Sequence, residues 1–307
     1  MTDHIDTKLA AGADDLVRPF QIEPHGLRGR LVRLGPSIDT IIGQHGYPPV
    51  VAGMLGEAVA LAALLAGALK YEGVFTLQTK GNGPVKLMVA DVTSAGAMRG
   101  YAQYDAKAVS AYGDGSRSVQ RLLGAGYLAF TVDQGEHTDR YQGIVDLEGA
   151  TLAECVQHYF RQSEQIETGI LAAALKGDAG WRVGGLMIQR LPAESGVVGF
   201  TEEQEDAWHR ALGLMGTCTP VEICDAATDA DKLLFRLFHE DGVRVYPAQG
   251  LAAQCRCSAE RIEQVLTTLP EDDLQHAMVD GTITVNCEFC GKIYSYDEAA
   301  IAALPRG

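Results

Sequence analysis

The sequence has little positive charge. Its 307 residues contain 25 Lys and Arg against 40 Asp and Glu, which gives a formal net charge of −15. Residues 241–307, where most of the cysteines lie, hold ten acidic residues against five basic ones. Proteins that bind nucleic acids need a basic surface to neutralise phosphates, so we expect no nucleic-acid partner. A nucleic-acid-binding zinc module stays an alternative, disfavoured hypothesis.

The N-terminal residues lack the features of an export signal. Residues 1–8 contain no basic cluster followed by an apolar run, so the sequence predicts a reducing, cytoplasmic location. One internal stretch, residues 50–69, has the length of a membrane span and carries one charge, Glu57. Ten of these twenty residues are Ala or Gly, which makes the stretch weakly hydrophobic. We expect a helix buried in a globular core, and no membrane partner.

Common catalytic motifs are also missing. The sequence has no Walker A loop and no G-x-S-x-G elbow, and Gly113-Asp-Gly115 does not join a strand to a helix as a phosphate loop would. His239-Glu240 lacks the second histidine of a zinc protease helix, and the other histidines show no ligand spacing. These absences predict a protein that is not an enzyme. An enzyme that is merely stabilised by a zinc module is the alternative.

Four of the seven cysteines form two close pairs near the end of the sequence. One residue separates Cys255 from Cys257, and two residues separate Cys287 from Cys290. Soft thiolates at these spacings close tetrahedral zinc sites, and four protein ligands leave no open position for catalysis. Structural disulfides, which need an oxidising compartment, and simple burial are the alternatives. The pattern favours one Zn²⁺ per chain.

The other three cysteines are Cys155, Cys218 and Cys224. None has an obvious partner, and Cys218 and Cys224 are spaced too loosely to predict a pair of metal ligands. Free cysteines behave as small hydrophobic residues, so we expect all three to be buried.

Periodicity predicts an α+β core domain over residues 1–192, with a mixed, largely antiparallel sheet and helices. A strand over 27–34 places Arg28 and Arg30 on one side, and Ser37 is expected to cap a short helix. Pro48-Pro49 begins the Ala-rich helix, and Thr151 begins another helix. The remaining predicted strands are 74–79, 85–90, 98–103, 127–133, 141–146, 170–175 and 183–189.

Residues 193–241 are predicted to form an acidic, helical linker. Between Glu194 and Asp231 there are nine acidic residues and a single base, Arg210. Thr201 is expected to start a helix that reaches about Gly213, and a second helix covers 232–239. Like charges at helical spacing repel, which indicates a marginally stable segment. The alternative is an ordinary docked helix with a solvated acidic face.

Residues 242–307 form a small zinc-binding module. Ser258 caps a helix whose apolar residues Ile262, Val265, Leu266 and Leu269 repeat at helical spacing. A second short helix, a strand over 282–285, a knuckle over 287–290 with Gly291 directly after it, and a strand over 293–296 follow. The module has few apolar residues, so we expect its fold to depend on the metal.

Short runs throughout the chain, together with the cysteine pattern, resemble one family. They are RGRLVRLG at 28–35, LGEA at 55–58, RGY at 99–101, YF at 159–160 with QSEQ at 162–165, GGLM at 184–187, LFHE at 237–240, CRCS at 255–258 and CEFCG at 287–291. Over nearly its whole length the chain resembles the redox-regulated 33 kDa heat shock proteins, which are bacterial holdase chaperones. It departs from them in a somewhat longer N-terminus and in the three further cysteines.

The resemblance implies a redox switch. In the reduced, inactive form Cys255, Cys257, Cys287 and Cys290 would hold zinc and keep the linker docked on the core domain. Oxidation would pair Cys287 with Cys290 and Cys255 with Cys257, release the zinc, and unfold the module and the linker. The exposed apolar surface would then bind unfolded client proteins without ATP, commonly as a homodimer. The resemblance assigns no catalytic residue.

Overall fold

The computed structural model describes residues 14–112, 117–135, 141–190 and 200–304. The chain forms two compact units that divide between Ala253 and Gln254. The predicted end of the core domain at residue 192, and Gly113-Asp-Gly115, fall outside the described residues.

Helices and strands together form an α+β fold, as predicted. The strands are β1 (Leu16–Ile22), β2 (Leu27–Leu34), β3 (Val74–Gly81), β4 (Val85–Thr93), β5 (Ala97–Tyr104), β6 (Gly126–Asp133), β7 (Tyr141–Asp146), β8 (Thr168–Gly177), β9 (Gly180–Arg190), β10 (Val243–Val245), β11 (Gln249–Gly250), β12 (Ala252–Ala253), β13 (Thr282–Asn286) and β14 (Ile293–Asp297). The helices are α1 (Pro36–Gly43), α2 (Pro49–Ala66), α3 (Ala106–Ser110), α4 (Val119–Leu122), α5 (Leu152–Tyr159), α6 (Glu202–Gly216), α7 (Pro220–Cys224), α8 (Ala230–Phe238), α9 (Ala259–Thr268), α10 (Glu271–Ala277) and α11 (Glu298–Ala302).

Two six-stranded sheets build the first unit. The first sheet has the order β10-β1-β2-β9-β8, with β11 also beside β1, and all of its pairs are antiparallel. The second sheet has the order β12-β5-β4-β3-β6-β7 and contains one parallel pair, β12 with β5. The prediction of a mixed, largely antiparallel sheet is confirmed. The strands of residues 243–253, which the sequence analysis placed in the zinc module, pair with these two sheets.

The Ala-rich helix α2 lies at the centre of the first unit. It contacts strands of both six-stranded sheets, and 89% of it is buried. By length and composition it could cross a membrane, but burial of this extent is what a core helix of a globular protein shows. The small side chains on its surface let strands approach closely. Leu55, Leu61 and Leu64, which are fully buried, fill the space between them.

Arginine and aspartate side chains cap the helices next to β2. The carboxylate of Asp15, not Ser37, caps α1, since it accepts hydrogen bonds from the backbone N–H groups of Gly35 (2.9 Å) and Ser37 (3.0 Å). At the C-terminal end of the core helix α2, Arg30 Nε donates to the carbonyl oxygen of Gly67 at 2.6 Å. A cation there stabilises the negative end of the α2 dipole. Burial lowers the pKa of Arg30 to about 10.

The acidic segment α6–α8 packs on the face of the first sheet that points away from α2. Its apolar side chains form one cluster with side chains of β1, β2, β8 and β9. The buried members from the helical segment are Trp208, Ala211, Met215, Cys218, Ile223, Cys224, Ala230, Leu233, Leu234, Leu237 and Phe238. Phe238 stacks on Phe20 of β1 with 5.7 Å between ring centroids. The segment is therefore an integral layer of the first unit in this form of the protein.

Arginines of the first sheet reach into the docked segment. The buried Arg33 donates to the carbonyl oxygens of Thr228 and, at 3.1 Å, of Glu222, and Arg182 donates to that of Cys224 at 2.6 Å. Two acidic side chains of the segment also pair with core arginines: Glu205 with Arg190 at 3.1 Å, and Asp231 with Arg18 at 2.9 Å. The negative charge that weakens the isolated helices is thus partly balanced by the sheet.

A two-stranded antiparallel sheet and three short helices form the second unit. Strands β13 and β14 pair, and α9, α10 and α11 surround them. Ser258 caps α9, as predicted, by accepting a hydrogen bond from the N–H of Arg261 at 3.3 Å. Six side chains are buried in its core: Leu266, Leu274, Ile283, Tyr294, Tyr296 and Ile301. Val265, predicted on the apolar face of α9, is 59% exposed.

Replacing Gly184 by alanine should loosen the docked segment. A Cβ atom at Gly184 would lie 2.5 Å from the carbonyl oxygen of Ile223, a backbone atom of α7 that cannot rotate away. We expect such overpacking to destabilise docking by about 1–3 kcal/mol. Hydrogen exchange of the amides of residues 202–238 should accelerate accordingly.

Gly213→Ala is the matched control. This glycine lies inside α6, and a Cβ atom there meets no atom within 4 Å. Alanine should stabilise the helix by about 1 kcal/mol and slow exchange. Wild-type exchange rates in Gly184→Ala would show that this close approach does not govern docking.

Candidate metal centre

The four paired cysteines come from two loops of the second unit. Cys255 and Cys257 lie in the extended segment before α9, and Cys287 and Cys290 lie in the turn between β13 and β14. The turn is closed by hydrogen bonds from Cys287 N to the Lys292 carbonyl (2.9 Å) and from Gly291 N to the Cys287 carbonyl (2.8 Å). Gly291 adopts a positive φ of 66°, which explains why glycine follows the last cysteine.

The fold brings these four sulfurs together. All four Sγ atoms lie within 4.8 Å of one another. The Sγ atoms of Cys255 and Cys287 are 3.6 Å apart, and those of Cys257 and Cys290 are 3.4 Å apart. Tetrahedral zinc with Zn–S bonds of about 2.3 Å separates its sulfurs by about 3.8 Å. The donor set and its spacing therefore fit one zinc ion bound by four thiolates.

The four sulfurs differ in how readily they lose their protons. Burial alone would raise the pKa of Cys257, but hydrogen bonds from Tyr294 and the other sulfurs lower it to about 7. Burial raises the pKa of Cys287 and of Cys290. Hydrogen bonds thus favour the thiolate form of Cys257, while burial favours the protonated form of Cys287 and Cys290. Metal ligation requires the thiolate form of every cysteine ligand.

Tyr294 supports the site from outside the ligand set. Its hydroxyl donates to the Sγ of Cys257 at 3.2 Å, and its ring is part of the unit's small core. Hydrogen bonds from such outer groups orient metal ligands and tune their basicity. Sequence reasoning placed Tyr294 on a strand without assigning it this role. Its position in the sequence could have indicated the role, because Tyr294 lies four residues after Cys290 on the strand that follows the cysteine turn.

The structure holds all seven cysteines as free thiols. Within the site, the shortest sulfur contacts join the C-x-C motif to the C-x-x-C motif, not the two cysteines of one motif. The disulfides Cys255–Cys257 and Cys287–Cys290 stay predictions. The other cysteines lie in the first unit: Cys155, Cys218 and Cys224 are buried, as expected, and burial raises their pKa values.

Comparisons with known proteins agree along almost the whole chain. The family model described as Hsp33 protein matches residues 15–297. A 33 kDa chaperonin of Caulobacter vibrioides is 42% identical over 291 residues, covering 92% of this chain and 95% of the relative. One from Ectopseudomonas mendocina is 38% identical over 296 residues, covering 96% of each. The crystal structure of the 33 kDa chaperonin from Thermotoga maritima has the same fold, with a TM-score of 0.80, 22% identity, and coverage of 95% of this chain and 98% of that one.

Removing the metal should unfold the second unit. Its core of six buried side chains is small, whereas structural zinc contributes about 10–16 kcal/mol to comparable sites. After treatment of the reduced protein with a strong chelator, amides of residues 254–304 should lose protection against hydrogen exchange, while β1–β9 keep theirs. A chelated protein in which β13 and β14 remain protected would contradict this dependence.

Tyr294→Phe should weaken zinc binding without removing a ligand. Loss of the hydrogen bond to Cys257 is expected to lower zinc affinity on the order of 10- to 100-fold, as for other outer-shell partners. Competition with a chromogenic zinc chelator measures the change. Tyr296→Phe is the matched control, because the Tyr296 hydroxyl donates to the Ala259 carbonyl (3.3 Å) and not to a sulfur. Equal affinities in both variants would argue against the role of Tyr294.

Proposed function

Because this chain belongs to the Hsp33 family, whose named relatives are 33 kDa chaperonins, we propose that it is a redox-regulated, ATP-independent holdase. In the reduced form one zinc ion is held by Cys255, Cys257, Cys287 and Cys290, and the protein is inactive. Oxidation forms the disulfides Cys255–Cys257 and Cys287–Cys290 and releases the zinc. The chain then binds unfolded proteins and prevents their aggregation.

The four-sulfur cluster is the observation that carries this proposal. Four cysteine ligands leave no coordination position for a substrate, so a zinc ion here would be structural and not catalytic. The same sulfurs are the oxidisable atoms of the site. Forming a disulfide removes two ligands at once, so oxidation and zinc binding exclude each other.

Loss of zinc would be a large change for the second unit. With a small buried core, the unit depends on the binding free energy of the metal. Its unfolding would in turn release the linker, residues 193–241. We therefore propose three functional parts: a core domain over residues 1–192, the linker, and a switch module over residues 242–307.

Release of the linker would uncover an apolar sheet face. Six large side chains of the first sheet are covered by α6–α8: Phe20, Ile22, Leu27, Leu31, Leu186 and Ile188. Contiguous apolar surface of this kind binds other proteins. We propose that this face binds unfolded proteins. The oxidised form would also be a homodimer, because a second copy of the chain can pack on the same uncovered face. We further propose a cytoplasmic location, where thiols stay reduced until an oxidant appears.

The alternatives gain no specific support. Among the described residues, the four-cysteine site is the one cluster of side chains suited to a metal. No observation there favours an enzyme, and the acidic second unit does not favour nucleic-acid binding. We propose that the protein has no enzymatic activity and binds neither nucleic acid nor membrane.

Oxidation should activate the protein and release zinc together. Incubation with hydrogen peroxide at a heat-shock temperature is expected to release one zinc ion per chain, detected with a chromogenic chelator. The oxidised, ATP-free protein should then suppress light scattering by a thermally unfolding enzyme such as citrate synthase. The reduced, zinc-loaded protein should not.

Cys155→Ser provides the control, because this buried cysteine lies outside the zinc site and should leave activation unchanged. A variant with serine at the four zinc ligands should bind no zinc and lose its response to peroxide. If the fully oxidised, zinc-free wild type left aggregation unchanged, the holdase function would be rejected.

A further inference from the structure

We propose that Cys218 and Cys224 are a third, concealed redox pair, which forms a disulfide only after α6–α8 have left the first sheet. The resulting disulfide would keep the segment from docking again. This inference rests on the proposed function, since linker release is what exposes the two thiols. It adds a modification site in the linker itself, separate from the zinc ligands.

Both thiols are sealed inside the contact between the segment and the sheet. Cys218 follows α6 and is 3% exposed, and Cys224 ends α7 and is 4% exposed. The Sγ of Cys224 points at the sheet and donates to the carbonyl oxygen of Ala173 in β8 at 3.4 Å. Both belong to the apolar cluster that holds the segment in place. An oxidant dissolved in water therefore cannot reach either sulfur while the segment is docked.

The docked environment also keeps the two thiols protonated. Burial raises the pKa of Cys218, and it raises that of Cys224 to about 11. Release would remove this effect of burial and increase the thiolate fraction of Cys224 on the order of 100-fold at neutral pH. Because the thiolate is the form that attacks a peroxide, the same event that exposes the sulfurs also activates them.

Cys218 and Cys224 are both free thiols in the docked form, and helix α7 covers most of the chain between them. Five residues lie between Cys218 and Cys224, and Pro220–Cys224 are helical. A helix rises about 1.5 Å per residue, so Pro220 to Cys224 spans about 6 Å along the axis, and Thr219 before it has an extended backbone. A disulfide requires Cα atoms about 4.4–6.8 Å apart. Once the segment is a flexible chain, so short a loop closes readily.

The chemistry needs only a peroxide. The thiolate of one cysteine attacks a peroxide oxygen, the O–O bond breaks, and a sulfenic acid forms; the leaving hydroxide takes up the proton that the thiol released and becomes one water. The second thiol attacks the sulfenic sulfur, the S–O bond breaks, and a second water leaves. Two thiols are oxidised by two electrons in total to one disulfide, and one hydrogen peroxide is reduced to two waters.

The disulfide and the docked form exclude each other. Docking uses the helical backbone between the two cysteines: Arg33 binds the carbonyl of Glu222, Arg182 binds that of Cys224, and Gly184 leaves room for Ile223. Drawing Cys218 and Cys224 together would break α7 and remove these contacts. The sheet face would stay uncovered until a reductant opened the disulfide.

Peptide mapping during activation tests this pair directly. Trypsin cleaves after Arg210 and Lys232, and the peptide of residues 211–232 contains Cys218 and Cys224 and no other cysteine. The protein is oxidised with hydrogen peroxide at a heat-shock temperature, and samples taken at intervals are alkylated and digested. The peptide masses are then measured by mass spectrometry. We expect this peptide to lose the mass of two hydrogen atoms after zinc is released and not before. Cys155→Ser should behave identically.

Three outcomes would overturn the inference. Recovery of fully alkylated peptide 211–232 from protein that has lost its zinc and holds clients would reject the third pair and leave the holdase function standing. Oxidation of the peptide while the zinc site is intact would reject concealment. After addition of reductant and zinc, we expect Cys224→Ser to release clients several-fold faster than wild type, and equal rates would reject the block on docking.

A second route tests the pair even if peroxide never opens the zinc site. Gly184→Ala loosens α7 in the reduced, zinc-loaded protein, so alkylation of Cys218 and Cys224 should be at least 10-fold faster than in wild type or in Gly213→Ala. Peroxide should then oxidise the peptide 211–232 in that variant. Moderate urea, which undocks the segment in any variant, followed by peroxide, should have the same effect. Alkylation without disulfide formation under both conditions would overturn the inference.

Discussion

The apolar contact between α6–α8 and the outer face of the first sheet is the interaction on which the rest of this protein depends. It buries large side chains from both sides, including Phe20 against Phe238 and Leu186 beneath the helices. Each such side chain stabilises the docked form by about 1.5–3 kcal/mol. It also covers the apolar sheet face that we propose as the client-binding surface. Under that proposal, the same contact stabilises the docked form and prevents client binding.

The negative charge of the segment limits how stable its helices are without the sheet. The segment between Glu194 and Asp231 carries nine acidic residues and one arginine, so its helices repel themselves when they stand alone. On the sheet, Arg190 and Arg18 balance Glu205 and Asp231, and Arg33 satisfies carbonyls at Glu222 and Thr228. The helices are therefore stable where they are docked and unstable elsewhere. We therefore expect the segment to unfold once it leaves the sheet.

The four-cysteine site has a complementary property, because it can hold a metal ion only while its sulfurs are reduced. Four thiolates within 4.8 Å repel one another unless a cation lies among them, and the unit around them has a core of only six side chains. Metal binding and folding are consequently one equilibrium. Cys218 and Cys224 follow the same logic at a different place, since burial withholds them from oxidants until the structure around them opens.

The sequence by itself determined many of the elements and the four cysteines that are the candidate metal ligands. The spacings of Cys255, Cys257, Cys287 and Cys290, the strand periods and the capping residue Ser258 are local signals, which act between residues close in the chain. Tertiary structure decided what depends on distant residues. It assigned the capping of α1 to Asp15, turned Arg33 toward α7, set the Tyr294 hydroxyl on Cys257, and paired residues 243–253 with the first unit. These contacts join residues that no sequence period relates, because packing and not local spacing brings them together.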